Sequence, residues 1–306
     1  SKCGPPAFLI TNGQCSHSMR RFGSPEQLRK TAESTLETGD PAYALALTEP
    51  GAGSDNNSAT TSYTRKDGKV YLNGQKTFIT GAKEYPYMLV LARDPEPKDP
   101  KKAFTLWWVE SNKPGIKINP LHKIGWHMLS TCEVYLDNVE VDESDMVGEE
   151  GMGFLNVMYN FEMERLINAA RSTGFAECAF EDAARYANQR IAFGKPIGHN
   201  QMIQEKLALM AIKIDNMRNM VLKVAWQADQ EQSLRTSAAL AKLYCARTAM
   251  EVIDDAIQIM GGLGYTDEAR VSRFWRDVRC ERIGGGTDEI MIYVAGRQIL
   301  KDYQNK

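Results

Sequence analysis

Two carboxylates lie beside an arginine in Phe161-Glu162-Met163-Glu164-Arg165-Leu166. A glutamate enclosed by apolar neighbours has its pKa raised into the range that a base working near neutrality needs. The arginine beside it could bind a substrate or hold local charge. A Glu-Arg pair on a helix is also ordinary, and Glu164 could equally form a structural ion pair with Arg165 or with Lys76. Glu162 stands two residues from Glu164 and so belongs to another helix face. A second stretch, Thr48-Glu49-Pro50-Gly51-Ala52-Gly53-Ser54-Asp55, follows the small apolar strand Tyr43 to Leu47. Its glycines, proline and hydroxyls let backbone come close to a flat or phosphorylated ligand, although a Gly-Pro-rich turn is most often just a turn. Gly261-Gly262-Leu263-Gly264 reads as a helix terminator. Thr287, Asp288 and Glu289 mark a helix start, with Asp288 as its expected cap.

The elements that must position these residues fall into three parts. Residues 1–40 hold a short apolar stretch, Phe8 to Ile10, and a helix near Ser24 to Leu36. There Ser24-Pro25-Glu26-Gln27 supplies an N-cap, a proline in the first turn and a capping-box glutamine. Residues 41–150 carry β-rich stretches at 60–65, 69–72, 87–92, 103–110, 115–118 and 131–141. Turns such as Lys66-Asp67-Gly68 and Asp137-Asn138 punctuate them, which predicts an antiparallel sandwich or barrel. Residues 151–306 show apolar spacings of three and four in four runs: from Phe154 to Tyr186, Ile203 to Val221, Ala239 to Ile257, and after Gly286. Those runs predict a bundle of four helices. The fold class is therefore multidomain α+β: an antiparallel β-barrel domain followed by a C-terminal four-helix bundle.

Composition narrows the partners. The 306 residues carry 37 basic and 39 acidic side chains, a balance that gives no electrostatic reason for nucleic acid or an anionic membrane. No apolar run reaches the roughly 18 residues of a spanning helix. The N-terminus, Ser1 to Pro6, lacks the basic start and apolar stretch of a signal peptide. The six cysteines (3, 15, 132, 178, 245 and 280) contain no Cys-x-x-Cys pair, and with four isolated histidines they make no metal-ligand spacing. They read as reduced, buried thiols of a cytoplasmic protein.

Five separated motifs, in order, resemble the acyl-CoA dehydrogenase family. They are Thr48 to Asp55; Asn73-Gly74-Gln75-Lys76 running into Phe78-Ile79-Thr80; Arg190 with Phe193-Gly194; Gln258-Ile259 with Gly261-Gly262 and Gly264-Tyr265; and Arg276-Asp277 before Gly286-Thr287. The resemblance covers essentially the whole chain. It implies an N-terminal helical domain, of which residues 1–40 would be a remnant, so that the sequence begins near that domain's end. It also implies FAD. Leu45, Ala46, Leu47, Thr48, Gly53 and Ser54 would line the flavin, with Phe78, Ile79 and Thr80 flanking its ring system. Arg190 would lie at the pyrophosphate and Phe193 would also contact the cofactor, while Gln201, Gln258, Gly261 and Gly262 would reach FAD from a neighbouring subunit of a dimer or homotetramer. Thr287, Asp288 and Glu289 would complete the shell.

The implied reaction interconverts a saturated acyl-CoA and its 2,3-enoyl-CoA, exchanging electrons with an electron-transfer flavoprotein. Ser54, Arg165, Gly285 and Gly286 would meet the substrate. The family's usual catalytic glutamate precedes the Gly-Thr pair, where this sequence has Gly285. A minority of the family carries its base on the first bundle helix just before an arginine, the position of Glu164. The glycine, with Cys178 to Arg190 and Ser272 to Asp277, also resembles the subgroup containing crotonobetainyl-CoA reductase. That points to fatty acid or carnitine metabolism, with the enzyme saturating an enoyl-CoA. Two other readings are a flavin monooxygenase of the same fold and an FAD-binding scaffold without a base.

Overall fold

The computed structural model describes residues 17–304. The stretch Phe8 to Ile10, the N-terminal six residues, Cys3 and Cys15 lie outside the described residues. Chain contacts divide the molecule into two compact units, one reaching to Phe161 and the other starting at Glu162. In the first unit, helical residues 17–22 are followed by helix α1 (Pro25–Thr38). Ser24 caps it, accepting from the Gln27 amide while the Gln27 side chain accepts from the Ser24 amide, the reciprocal box its sequence predicts.

The strands are β1 (Tyr43–Ala46), β2 (Ser62–Lys66), β3 (Lys69–Thr80), β4 (Tyr87–Arg93), β5 (Phe104–Glu110), β6 (Ile116–Pro120), β7 (Thr131–Val141) and β8 (Met146–Val147). They form one sheet in the order β6-β7-β3-β2-β4-β5-β8, with β1 beside β4. The pairs are antiparallel except β1 with β4 and the single register of β2 with β4, which are parallel. β4 and β5 read as apolar runs because both faces are covered. Met88, Val90, Trp107 and Val109 enter one core, while Leu89, Leu91, Leu106 and Trp108 enter another on the opposite face. The hairpin at Asp67-Gly68 has φ of 51° and 75°, both positive as a two-residue turn matched to strand twist requires. Asp137-Asn138, expected as a turn, instead lies within β7, where the pairing with β3 shifts register. Asn138 takes up the irregularity at φ 48°.

The second unit is helical. α2 (Gly153–Gln189) runs into it from the first unit, and a hairpin of β9 (Ile191–Ala192) and β10 (Lys195–Pro196) follows. Then come α3 (Gln201–Asp229), α4 (Arg235–Met260), α5 (Arg270–Val278) and α6 (Asp288–Tyr303). α5 is a helix that the sequence reading passed over, although Val271, Phe274 and Val278 repeat at helical spacing and are all buried. Alanines dominate the buried side of α4, which lets neighbouring helices approach closely. Of the described cysteines, Cys132 and Cys245 are buried and Cys178 partly so, but Cys280 is exposed, contrary to expectation. Burial pushes the Cys245 thiol up to about 12, which makes it inert.

Candidate active site

In the sheet unit, the loop after β1 is shaped by Glu49. Its carboxylate accepts from the Thr60 amide (2.6 Å), the Thr60 hydroxyl (2.9 Å) and the Thr61 amide (2.9 Å). Lys76 on β3 donates to Glu49 (2.8 Å) and to the Leu47 carbonyl (3.0 Å), and both side chains are buried. Burial pushes the Glu49 carboxyl up, but the Lys76 charge, with hydrogen bonds from Lys76, Thr60 and Thr61, overrides it and holds the carboxyl at about 2. Burial pushes Lys76 down to about 8 against the pull of Glu49, so the pair is ionised at neutral pH. Lys76, considered as a partner for Glu164, is therefore engaged by Glu49. The Thr77 amide donates to the Thr48 carbonyl (2.8 Å), tying the loop to β3. Gly51, Gly53 and Ser54 are left exposed at its tip.

The same strand presents an aromatic ring. Between Lys76, paired with Val134, and Ile79, paired with Cys132, β3 holds one residue more than β7. That bulge re-aims a side chain. Phe78 takes φ 59°, costly for a bulky residue, and is 65% exposed. Several expected cofactor contacts need correction. Ile79, Ala46 and Leu47 are turned into the protein interior, so each can offer a ligand only its backbone. Leu45 and Thr48 are half-buried, and the Thr80 hydroxyl lies 3.2 Å from that of Thr131.

In the helical unit, Glu164 and Gly285 meet. A Cβ placed on Gly285 would lie 3.3 Å from Oε1 of Glu164 and 3.6 Å from its carboxyl carbon. Gly285 and Gly286 have φ of 66° and 99°, a backbone that favours glycine. Arg165 is 6% exposed and its Nε donates to the Gly285 carbonyl at 3.4 Å, which braces the turn. Burial lowers its pKa, with Glu164 and Glu162 opposing. Glu162 is committed elsewhere: its carboxylate accepts from the Leu234 amide at the start of α4 (3.1 Å). Lys242, fully buried on α4, donates to the Gly286 carbonyl (2.6 Å). Sequence reasoning missed it, although a lysine three residues after Ala239 interrupts the buried face of that helix.

The cap of α6 is Thr287, whose hydroxyl accepts from the Ile290 amide (3.3 Å); Asp288, expected as the cap, is the first helical residue. Asp288 is 2% exposed and receives Arg247 Nε (2.9 Å) and Arg282 Nε (2.8 Å), so its carboxylate is unavailable to a cofactor. Glu289 is exposed, and its carboxyl is held low by a hydrogen bond from its own amide and by the Thr287 hydroxyl. Arg190 and Gln201 are exposed, and Phe193, 99% exposed, tips the β9–β10 turn at φ 53° with Gly194 at φ 80°. Gln258, Gly261 and Gly262 lie at the end of α4, sixteen or more residues beyond Lys242. At 1.5 Å rise per residue that is about 24 Å along the helix, so one chain does not bring them to Glu164.

Residues 44–139 match the family model described as acyl-CoA dehydrogenase, middle domain, and residues 151–300 match acyl-CoA dehydrogenase, C-terminal domain. The chain belongs to the acyl-CoA dehydrogenase family, FAD-dependent oxidoreductases acting on the CH–CH group of acyl-CoA. It is 96% identical to the probable acyl-CoA dehydrogenase YdiO of Escherichia coli strain K12, over all of this chain and 80% of that one. Among solved structures it is similar to butyryl-CoA dehydrogenase from Megasphaera elsdenii, at 34% identity and a TM-score of 0.91, over 96% of this chain and 77% of that one. It is also similar to an acyl-CoA dehydrogenase from Geobacillus kaustophilus, at 33% identity and a TM-score of 0.90, over 95% and 77% of the two chains.

The described residues suit FAD. The exposed Phe78 ring offers a flat apolar face, and Gly53, Gly261 and Gly262 have no atom within 4 Å of where a Cβ would stand. These glycines are not required by packing inside the chain, and without a Cβ they let a ligand come close to the backbone. Asn200, at the start of α3, makes no side-chain cap, although its carbonyl takes the Ile203 and Gln204 amides. Among the described residues no helix is long and apolar enough to cross a membrane.

Proposed function

We propose that the protein interconverts a saturated acyl-CoA and its 2,3-enoyl-CoA, with Glu164 as the base at the α-carbon. The observation that carries this reading is the Glu164 carboxylate beside Gly285, in the space a side chain at 285 would enter. The family's two base positions thereby converge on one place, and the glycine at one makes room for the glutamate at the other. Bound flavin supplies the acceptor for the β-hydrogen and its electron pair. Phe78, with the backbone of residues 45–48, Gly53, Ser54 and Thr80, would hold it from the sheet unit. Arg190, Phe193, Gln201, Gln258, Gly261, Gly262, Thr287 and Glu289 are the candidates of the helical unit.

Glu164 takes the α-proton as the β-hydrogen leaves, and returns it in the reverse direction. The α-proton becomes acidic only if charge on the thioester oxygen is stabilised, a task suited to the Gly285 N–H. No substitution at 285 other than proline removes that donor, which separates the two roles: a side chain for the proton, backbone for the oxyanion. Electron-transfer flavoprotein is the proposed redox partner. It is supported by likeness to a solved structure described as "Electron transferring flavoprotein of Acidaminococcus fermentans", at 33% identity and a TM-score of 0.92. A homo-oligomer would cover exposed Phe193 and the Gly261-Gly262 end of α4.

Glu164→Gln, loaded with FAD and mixed anaerobically with acyl-CoA esters, should bleach its flavin roughly 10²- to 10⁴-fold more slowly. An undiminished rate removes Glu164 as the base. Titration of the wild-type protein with electron-transfer flavoprotein and either acyl-CoA or enoyl-CoA reads the favoured direction.

A further inference from the structure

Beneath the Gly284-Gly285-Gly286 turn lies a cluster of buried charge that the chemistry above does not use. Lys242 on α4 is fully buried, and Glu281, Asp277 and Asp288 are each no more than 2% exposed. Arg171 on α2 forms an ion pair with Glu281. Lys242 stands outside that pair; its ammonium is directed at the Gly286 carbonyl, 2.6 Å away. The charges that face it are Asp288 on α6, Glu281 in the turn 279–282, and Arg165 and Glu164 on α2.

Two consecutive carbonyls of the turn are thus gripped by cations from two helices. Arg165 holds that of Gly285 and Lys242 that of Gly286. The grip has a physical purpose. Three successive glycines carry the greatest backbone entropy of any tripeptide, and φ of 66° and 99° at the last two has no Cβ to enforce it. A peptide plane held by its carbonyl has the next residue's N–H fixed as well, that of Gly286 by Arg165 and that of Thr287 by Lys242, so the turn is anchored immediately after Gly285. A charge-assisted bond from a buried ammonium is among the stronger ways to hold it. Lysine burial is costly, and burial pushes this ammonium down to about 8, so a lysine kept here should return something that an apolar residue could not.

We infer that Lys242 is a positioning residue for the reaction: by holding the Gly286 carbonyl it sets the turn against which the Glu164 carboxylate lies, and so fixes the base relative to the Gly285 N–H. This rests on the reading of Glu164 as the base. Lys242 touches neither substrate nor cofactor in this role. Misplacing a reacting group by about 1 Å can cost ~100-fold in rate.

The experiment uses FAD-loaded full-length protein in four forms: wild type, Glu164→Gln, Lys242→Met and Lys242→Gln. Three readouts are taken: the single-turnover rate of flavin bleaching, its primary isotope effect with α-deuterated acyl-CoA, and amide hydrogen exchange of residues 283–290. Lys242→Met should lose ~100-fold in rate at little change in the acyl-CoA concentration giving half-maximal rate, show a larger isotope effect, and exchange the turn's amides faster. Lys242→Gln keeps a donor on a shorter stem and should recover part of the rate. If Lys242→Met does not fold, the Gln variant decides by the same readouts. If Glu164→Gln is inactive while the folded Lys242 variants keep wild-type rate and turn exchange, the inference is overturned and the base assignment stands. If Glu164→Gln is itself fully active, the base assignment has failed, and turn exchange alone then tests the grip by Lys242.

Discussion

Moving the carboxylate from 164 to 285 tests whether the two positions serve one place. Glu164→Ala removes the base without adding a helix-interior glycine, and should slow anaerobic flavin bleaching by roughly 10²- to 10⁴-fold. Adding Gly285→Glu should then restore part of that loss. A Cβ at 285 would sit 3.3 to 3.7 Å from the oxygen, carboxyl carbon and Cγ that Glu164 now occupies, within reach of a glutamate's own stem. Once Glu164 is truncated, that crowding disappears, so the remaining cost is the backbone. At φ 66° a residue other than glycine costs about 1 kcal/mol, which leaves a domain of this size only a few degrees less stable. Gly285→Glu alone should be worse placed, with two carboxylates sharing one space. The assay is single-turnover bleaching with thermal unfolding as control. The reasoning fails if the double variant folds, retains FAD and bleaches no faster than Glu164→Ala.

Three further outcomes follow from the sheet unit. Lys76→Met should cost about 3–5 kcal/mol, because it strands a buried carboxylate. The double variant with Glu49→Gln should cost less than the sum of the singles in urea unfolding, and additivity would argue against a coupled pair. The Glu49 carboxyl is held at about 2 against an ordinary 4.5, so its contribution is present above pH 4.5 and lost as pH falls toward 2. Acid unfolding of the wild type should therefore steepen in that window, whereas in Lys76→Met the stranded carboxyl, pushed up by burial, should recover part of the lost stability as pH falls and it takes up a proton. Gly74→Ala should destabilise by about 2 kcal/mol or more, since at φ 148° its Cβ would come within 2.7 Å of the Thr61 Cα, a backbone atom that cannot step aside. A wild-type urea midpoint would contradict that contact.

Local patterns were legible in the chain because they are set by local physics. The Ser24–Gln27 capping box, the Asp67-Gly68 hairpin, β7 from Thr131 to Val141 and the long helices all follow from caps, turns and periodicity within a few residues. The site motifs were legible as motifs. What the sequence could not show was which side chain faces where. Phe78 turns outward and Ile79 inward through a bulge that exists only because β3 pairs with β7. Asp288 looked like a cap until Arg247 and Arg282 came to it from other elements. Lys76 found Glu49, 27 residues away, and Lys242 found the Gly286 carbonyl, 44 residues away. The sequence alone determined that a glycine stands at 285 and a glutamate at 164. Tertiary structure decided that they are neighbours, because 121 residues of chain carry no distance until helices pack and buried charges must find partners.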